Sequence, residues 1–170
     1  MKFLGQKRRK LYSEFISEHI PDNILVYVEP FAGSFSVAIY LLEEREEDSP
    51  EKFIYNDINR YDTIIYADKI HHLDYNEIFE MYDNENTFFY IDPPYYRKEF
   101  IYEGCSDYTK QFHIKLRDNI KKLKGQFLLS YNNEKFITEL YKDFNIIYYK
   151  GENILFRNEI LIKKHEKNKD

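Results

Sequence analysis

The chain is short of cysteine, of long apolar runs, of clustered metal ligands and of positive charge. Its single cysteine, Cys105, rules out an internal disulfide framework and fits a reducing compartment. No proline or activating base adjoins Cys105, so it reads as a bystander thiol. That argues against attack on a pyrimidine ring carbon by a cysteine nucleophile. No run is long and apolar enough to cross a membrane, and residues 1–10 have no apolar core of signal-peptide length. A cytoplasmic location with no membrane partner is expected. His71 and His72 are adjacent, and neighbours on a helix point apart. No Cys or acid pattern completes a site around them, so no metal is expected. His19 falls on an apolar helical face and reads as a core-edge residue.

The net charge is −5, whereas proteins that bind duplex nucleic acid usually show a basic face. Acids gather over residues 43–48 and 77–85. Bases gather over residues 7–10, at Arg97 and Lys98, over residues 121–124 and from Lys163 onward. A dipolar surface can present one basic side, with weak unaided affinity for DNA.

What is present is a regular alternation. At 170 residues the chain makes one domain with a real core. Helical spacing over residues 10–20 stops at Pro21, and residues 24–28 read as a buried strand. A tight turn, Glu29-Pro30-Phe31-Ala32-Gly33-Ser34-Phe35, leads to a helix over 36–47. Gly33 there lets the backbone approach a ligand, and the helix N-terminus favours an anion. A second strand, 52–55, ends in Asn56-Asp57-Ile58-Asn59. Asp57 is placed to hold two ribose hydroxyls, as in dinucleotide folds, while Asn59 starts the next helix. Two short helices are expected within residues 60–91, one after Asn59 with Tyr61, Ile64, Ile65 and Ala67 at helical spacing, and one over 75–82 with Ile78, Phe79 and Tyr82 inward. An apolar strand over 87–91 follows, then a polar, aromatic loop to residue 108. A helix starting at Thr109 and closed by Gly125, a strand over 127–130, a helix near 136–141 and a hairpin of 145–149 with 159–162 complete the chain. Residues 166–170 are expected to be disordered.

The chain is organised around Ile91-Asp92-Pro93-Pro94-Tyr95. In an open α/β sheet the carboxyl end of a strand is where ligands bind. Two prolines end the strand sharply and leave their carbonyls as acceptors. With the Asp92 carboxylate and the flat Tyr95 ring they can grip an amino group on a planar ring, which suits a flipped base. A simple Asp-Pro turn is the bland alternative. Beyond it, Tyr96, Arg97 and Lys98 mix rings with cations, as strand binders do.

Glu29-Pro30-Phe31-Ala32-Gly33, Asn56-Asp57-Ile58-Asn59 and Asp92-Pro93-Pro94-Tyr95, in that order, closely resemble the motifs of Dam-like DNA adenine-N6 methyltransferases. Phe3-Leu4-Gly5-Gln6-Lys7 is similar to the family's N-terminal cofactor motif, with Gln6 in place of a glycine. Ser34 and Phe35 likewise replace glycines in the first loop. The resemblance implies a Rossmann-like α/β sheet, mostly parallel, with helices on both faces and a C-terminal antiparallel hairpin, as one domain over residues 1–165. It implies S-adenosylmethionine as methyl donor, bound by Phe3, Lys7, Phe31, Ala32, Gly33, Asp57 and Asp92. Asp92 and the Pro93 carbonyl would accept from the adenine amine and Tyr95 would stack on the base. Tyr96, Arg97, Lys98 and Asn132 would face nucleic acid. The family usually carries a sizeable target-recognition segment, for which only residues 60–91 are available here. DNA is the expected substrate. RNA or a single strand, a protein partner that supplies recognition, and a catalytically silent binding subunit are the alternatives.

Overall fold

The computed structural model describes residues 6–45, 48–59, 66–98, 109–149 and 158–165, with the backbone alone for residues 6–10. The elements are α1 (Gln6–Ser17), β1 (Val26–Glu29), α2 (Ser36–Glu44), β2 (Lys52–Asn56), β3 (Lys69–His71), α3 (Tyr75–Tyr82), β4 (Thr87–Ile91), α4 (Lys110–Ile120), β5 (Gln126–Asn132), α5 (Lys135–Leu140), β6 (Asn145–Tyr148) and β7 (Glu159–Lys163). Seven strands form one sheet in the order β3-β2-β1-β4-β5-β7-β6. Every neighbouring pair is parallel except those of β7, which runs antiparallel to β5 and β6.

The period-2 geometry of a strand sends successive side chains to opposite faces, and β4 shows the result. Phe88 and Tyr90 pack with Ile16, Val37, Ala38 and Leu41 beneath α1 and α2. Phe89 and Ile91 pack with Ile78, Phe79, Leu116, Ile120 and Ile137 beneath α3, α4 and α5. All five residues of β4 are buried, which explains why the strand reads as an unbroken apolar run.

The structure departs from the sequence reading in three places. Among the described residues the stretch between β2 and β4 holds the helix α3 and, at Lys69–His71, the strand β3, which the sequence reading did not anticipate. Residues 60–65 of the other expected helix lie outside the described residues. β3 is a three-residue edge strand with an exposed, unalternating pattern, held by parallel pairing with β2. The first helix starts earlier than expected and closes at Ser17. There the Arg45 guanidinium bonds the carbonyls of Ser17, Ile20 and Pro21, which satisfies acceptors that a helix end leaves open. The second helix stops at Glu44. No helix among the described residues is long and apolar enough to cross a membrane.

Candidate active site

The chain runs outward from β1 to β2 and β3, then returns to β4 and β5 on the other side. The crevice at the carboxyl ends of β1 and β4 is therefore the switch point of the sheet, where such folds bind ligands. The loop after β1, Asp57 after β2 and Asp92 after β4 belong to three adjacent strands.

On the β1–β2 side the backbone N–H of Gly33 donates to Asp57 Oδ2 at 2.8 Å. The Asn59 N–H donates to Asp57 Oδ1 at 2.9 Å. One carboxylate thus ties the two loops together, and each oxygen keeps a further acceptor position. Burial raises the Asp57 carboxyl above its ordinary value, against the pull of the Asn59 and Gly33 N–H groups. Gly33 has φ +50, and a side chain there would meet nothing within 4 Å, so the loop opens onto free space. Buried Asn56 braces the base of the loop, donating to the Pro30 carbonyl at 2.9 Å and accepting from the Leu73 N–H at 2.9 Å. Ala32 is buried, and half-buried Phe31 packs on Tyr75 and Phe112. Phe35 stands at φ 56, ψ 31, in the left-handed region that favours glycine, with its ring fully buried.

Glu29, the last residue of β1, is 2 % exposed. Its Oε1 accepts from Tyr27 Oη at 2.8 Å and from the Ala38 N–H, in the first turn of α2, at 3.2 Å. The anion-favouring end of α2 thus already holds a carboxyl from within the chain. Burial pushes Glu29 up to about 8, despite the donors Tyr27 and Ala38, so it carries a proton at neutral pH.

On the β4 side, Pro93 and Pro94 are buried and Asp92 keeps part of its surface open. Burial first, and then the nearby Glu159, push Asp92 up to about 7, while donors on Tyr95 and Ser130 oppose the rise. Tyr95 is a fixed ring, 8 % exposed. Its hydroxyl donates to Glu159 Oε2 at 2.7 Å and lies 3.2 Å from Ser130 Oγ. Tyr12 of α1 reaches the same Ser130 Oγ at 2.6 Å. Asn132 is buried; its Nδ2 donates to the Tyr96 carbonyl at 3.1 Å, and its Oδ1 has no partner among the described residues. Tyr96 lies with its ring centre 4.6 Å from that of Phe136. Arg97 stands 5.6 Å over Tyr96, Lys98 6.0 Å over Tyr95 and Lys110 4.9 Å over Phe136. Aromatic faces and cations therefore adjoin Asp92.

The structure brings together Asp92, Pro93, Tyr95, Tyr96, Arg97, Lys98 and Asn132 on one side, and Phe31, Ala32, Gly33 and Asp57 on the other. Phe3 lies outside the described residues, as do Phe100, Tyr102 and Cys105 and the loop with Gly151, Asn153 and Arg157. Lys7 is described only as backbone of α1. Sequence reasoning missed Tyr12, Ser130, Glu159 and Glu29. For Glu29, Ser130 and Glu159 the available signal was a lone polar residue within an apolar strand, whereas Tyr12 in α1 carried none. Among the described residues no three His, Cys, Asp or Glu side chains converge as a metal site requires.

A mostly parallel sheet with one antiparallel strand near its edge, and loops with acids at its switch point, defines a Rossmann-like fold of the methyltransferase type. The family model of the D12 class N6 adenine-specific DNA methyltransferases matches residues 3–73 and 60–153, and the chain belongs to that family. Solved structures agree at the level of fold. A putative methyltransferase, yhhF, from Escherichia coli is similar at 9 % identity with a TM-score of 0.59, covering 98 % of this chain and 90 % of that one. A conserved hypothetical protein from Streptococcus pyogenes is similar at 13 % identity with a TM-score of 0.57, covering 92 % and 95 %. No curated protein matches the chain.

Proposed function

We propose that this chain transfers a methyl group from S-adenosylmethionine to the N6 amino group of adenine in DNA, directly and with the base turned out of its stack. The observation that carries the reading is the placement of the Gly33 loop, Asp57 and Asp92 at the ends of three adjacent strands around the switch point. It joins with family membership, which makes methyl transfer the class of reaction.

The residues fit the donor. The open space over Gly33 admits a ligand against the backbone, and Asp57 retains acceptor capacity for two ribose hydroxyls. Phe31 and Ala32 line the same loop, and Phe3 and Lys7 are proposed for the methionine end. When bound, the donor supplies an electrophilic methyl group on a sulfonium.

The rest of the work falls to the protein. The adenine amine is a poor nucleophile because its lone pair is shared with the ring. Ionised Asp92 and the Pro93 carbonyl accept its two hydrogens, which draws the nitrogen toward a tetrahedral shape and frees the lone pair. Those acceptors also stabilise the positive charge that develops there, and the methylated nitrogen then sheds one proton through Asp92 to solvent. Tyr95 offers a flat face whose orientation its hydroxyl bonds hold, and correct placement carries much of the rate. Tyr96, Arg97 and Lys98 receive the flanking strand, with Asn132 fixing the Tyr96 turn.

The test is methyl transfer from tritiated donor to duplex DNA, single-stranded DNA and RNA, with donor binding followed by calorimetry. Asp92→Ala is expected to lower kcat by roughly 10²-fold or more while donor binding largely survives through Phe31, Ala32, Gly33 and Asp57. A variant with full activity refutes the role of Asp92. Failure of the wild type to bind the donor favours a silent binding subunit. Because the ionised acid is the better acceptor, kcat is expected to rise with pH through about 7.

A further inference from the structure

Asp92 has a second carboxyl within electrostatic reach, Glu159, which the proposed reaction does not use. Glu159 opens β7 in register with Asn132 of β5. Its Oε2 accepts from Tyr95 Oη at 2.7 Å and from Tyr12 Oη at 3.5 Å. Both hydroxyls also reach Ser130 Oγ, at 3.2 Å and 2.6 Å. The groups facing Asp92 are Tyr90 of β4, Tyr95 just after it, Tyr12 of α1, Ser130 of β5, Glu159 of β7, and Glu29 and Tyr27 of β1. Lys98 is the cation facing Glu159. A glutamine could also accept the Tyr95 hydroxyl, though less strongly, so holding the ring does not by itself require an acid. An acid adds charge, and two carboxyls in one desolvated cluster resist ionising together.

We propose that Glu159 is a positioning residue of the methyl-transfer site: it fixes the Tyr95 ring and supplies the negative charge against which Asp92 must ionise. The inference rests on the proposed reaction and deepens it. Glu159 and the Tyr95 and Ser130 donors act on Asp92 in opposite directions, so the network sets the pH at which Asp92 becomes an acceptor.

Carbon-13 NMR titration of side-chain carboxyls in the full chain tests this, with Asp92 assigned by the signal lost in Asp92→Asn. In Glu159→Gln the Asp92 midpoint is expected to move to lower pH, by about half a unit or more. An unchanged or raised midpoint in Glu159→Gln overturns the proposal. If that variant does not fold, Glu159→Ser is read in its place, with the same fall in the Asp92 midpoint expected and the same outcome, a midpoint that stays or rises, overturning the proposal. The acid limb of kcat is expected to follow the NMR midpoint, whereas a purely structural Glu159 would lower kcat equally at every pH. Methyl transfer by the wild type with an immobile Asp92 midpoint sinks this inference alone. A mobile midpoint without methyl transfer to any nucleic acid sinks the proposed reaction alone.

Discussion

Phe35 shows how a single residue holds the loop after β1 against its own preference. A left-handed backbone costs a residue with a side chain about 1–3 kcal/mol. Full burial of a phenyl ring contributes about 1.5–3 kcal/mol, and this ring packs edge-on against Phe53 and Tyr55. The two effects are comparable, so the loop keeps a glycine-like turn without glycine. The consequence is an inverted order of substitutions. Phe35→Ala loses the ring and keeps the strain, with an expected loss of roughly 3–5 kcal/mol. Phe35→Gly loses the ring but relieves the strain, so it is expected to be the more stable of the two by about 1 kcal/mol. Urea unfolding of both variants decides it; an alanine variant more stable than the glycine variant contradicts the strained turn.

At the scale of elements, the joint between β4 and β5 is built on Gly125. A methyl group there would lie 2.6 Å from the Thr87 carbonyl and 2.9 Å from the Asn84 carbonyl, both backbone atoms that cannot yield cheaply. Asp83 accepts from the Lys124 and Gly125 N–H groups at 2.8 and 3.0 Å and fixes the approach. Gly125→Ala is expected to destabilise by about 1–3 kcal/mol and to lower activity through displaced Asp92, as read by thermal unfolding and methyl transfer together. An alanine variant of wild-type stability excludes the close approach. This glycine was legible only as a helix stop, because nothing local announces which strand it meets. β4 and α3 were legible to the residue: one is an unbroken apolar run, and the other carries apolar residues at helical spacing behind the Asp74 cap. β3 was not, since its pairing with β2, rather than any pattern of its own, makes it a strand. The Asp92 motif was legible because its residues are consecutive. Its surrounding network was not, because Tyr12 and Ser130 are 118 residues apart in the chain and Tyr12 and Glu159 are 147 apart.

For the whole molecule, the carboxyls around the crevice share one sign of perturbation. Asp92 is raised to about 7 and Glu29 to about 8. Asp57 and Glu159 are also raised, and burial is the leading cause in all four. In the unfolded chain such groups lose their protons near pH 4. Between pH 4 and 8 these four carboxyls therefore hold more protons in the folded chain than in the unfolded one, so their contribution to stability falls as pH rises, against the smaller opposite slope from the lowered imidazoles of His19 and His71. The contribution is complete below the unfolded value and is lost as pH climbs through the folded values. Glu29 is almost fully buried, so its share is on the order of 2–4 kcal/mol. The net charge of −5 adds repulsion in the same direction. Urea unfolding at pH 5, 6, 7 and 8.5 is expected to give a steadily decreasing free energy. Glu29→Gln keeps an acceptor for Tyr27 and Ala38 and cannot ionise, so it is expected to match wild type at pH 5 and exceed it at pH 8.5. Asp92→Asn is expected to flatten the curve between pH 5 and 7. A wild-type curve that rises toward pH 8, or a Glu29→Gln curve parallel to wild type throughout, is incompatible with a protonated acid beneath the crevice.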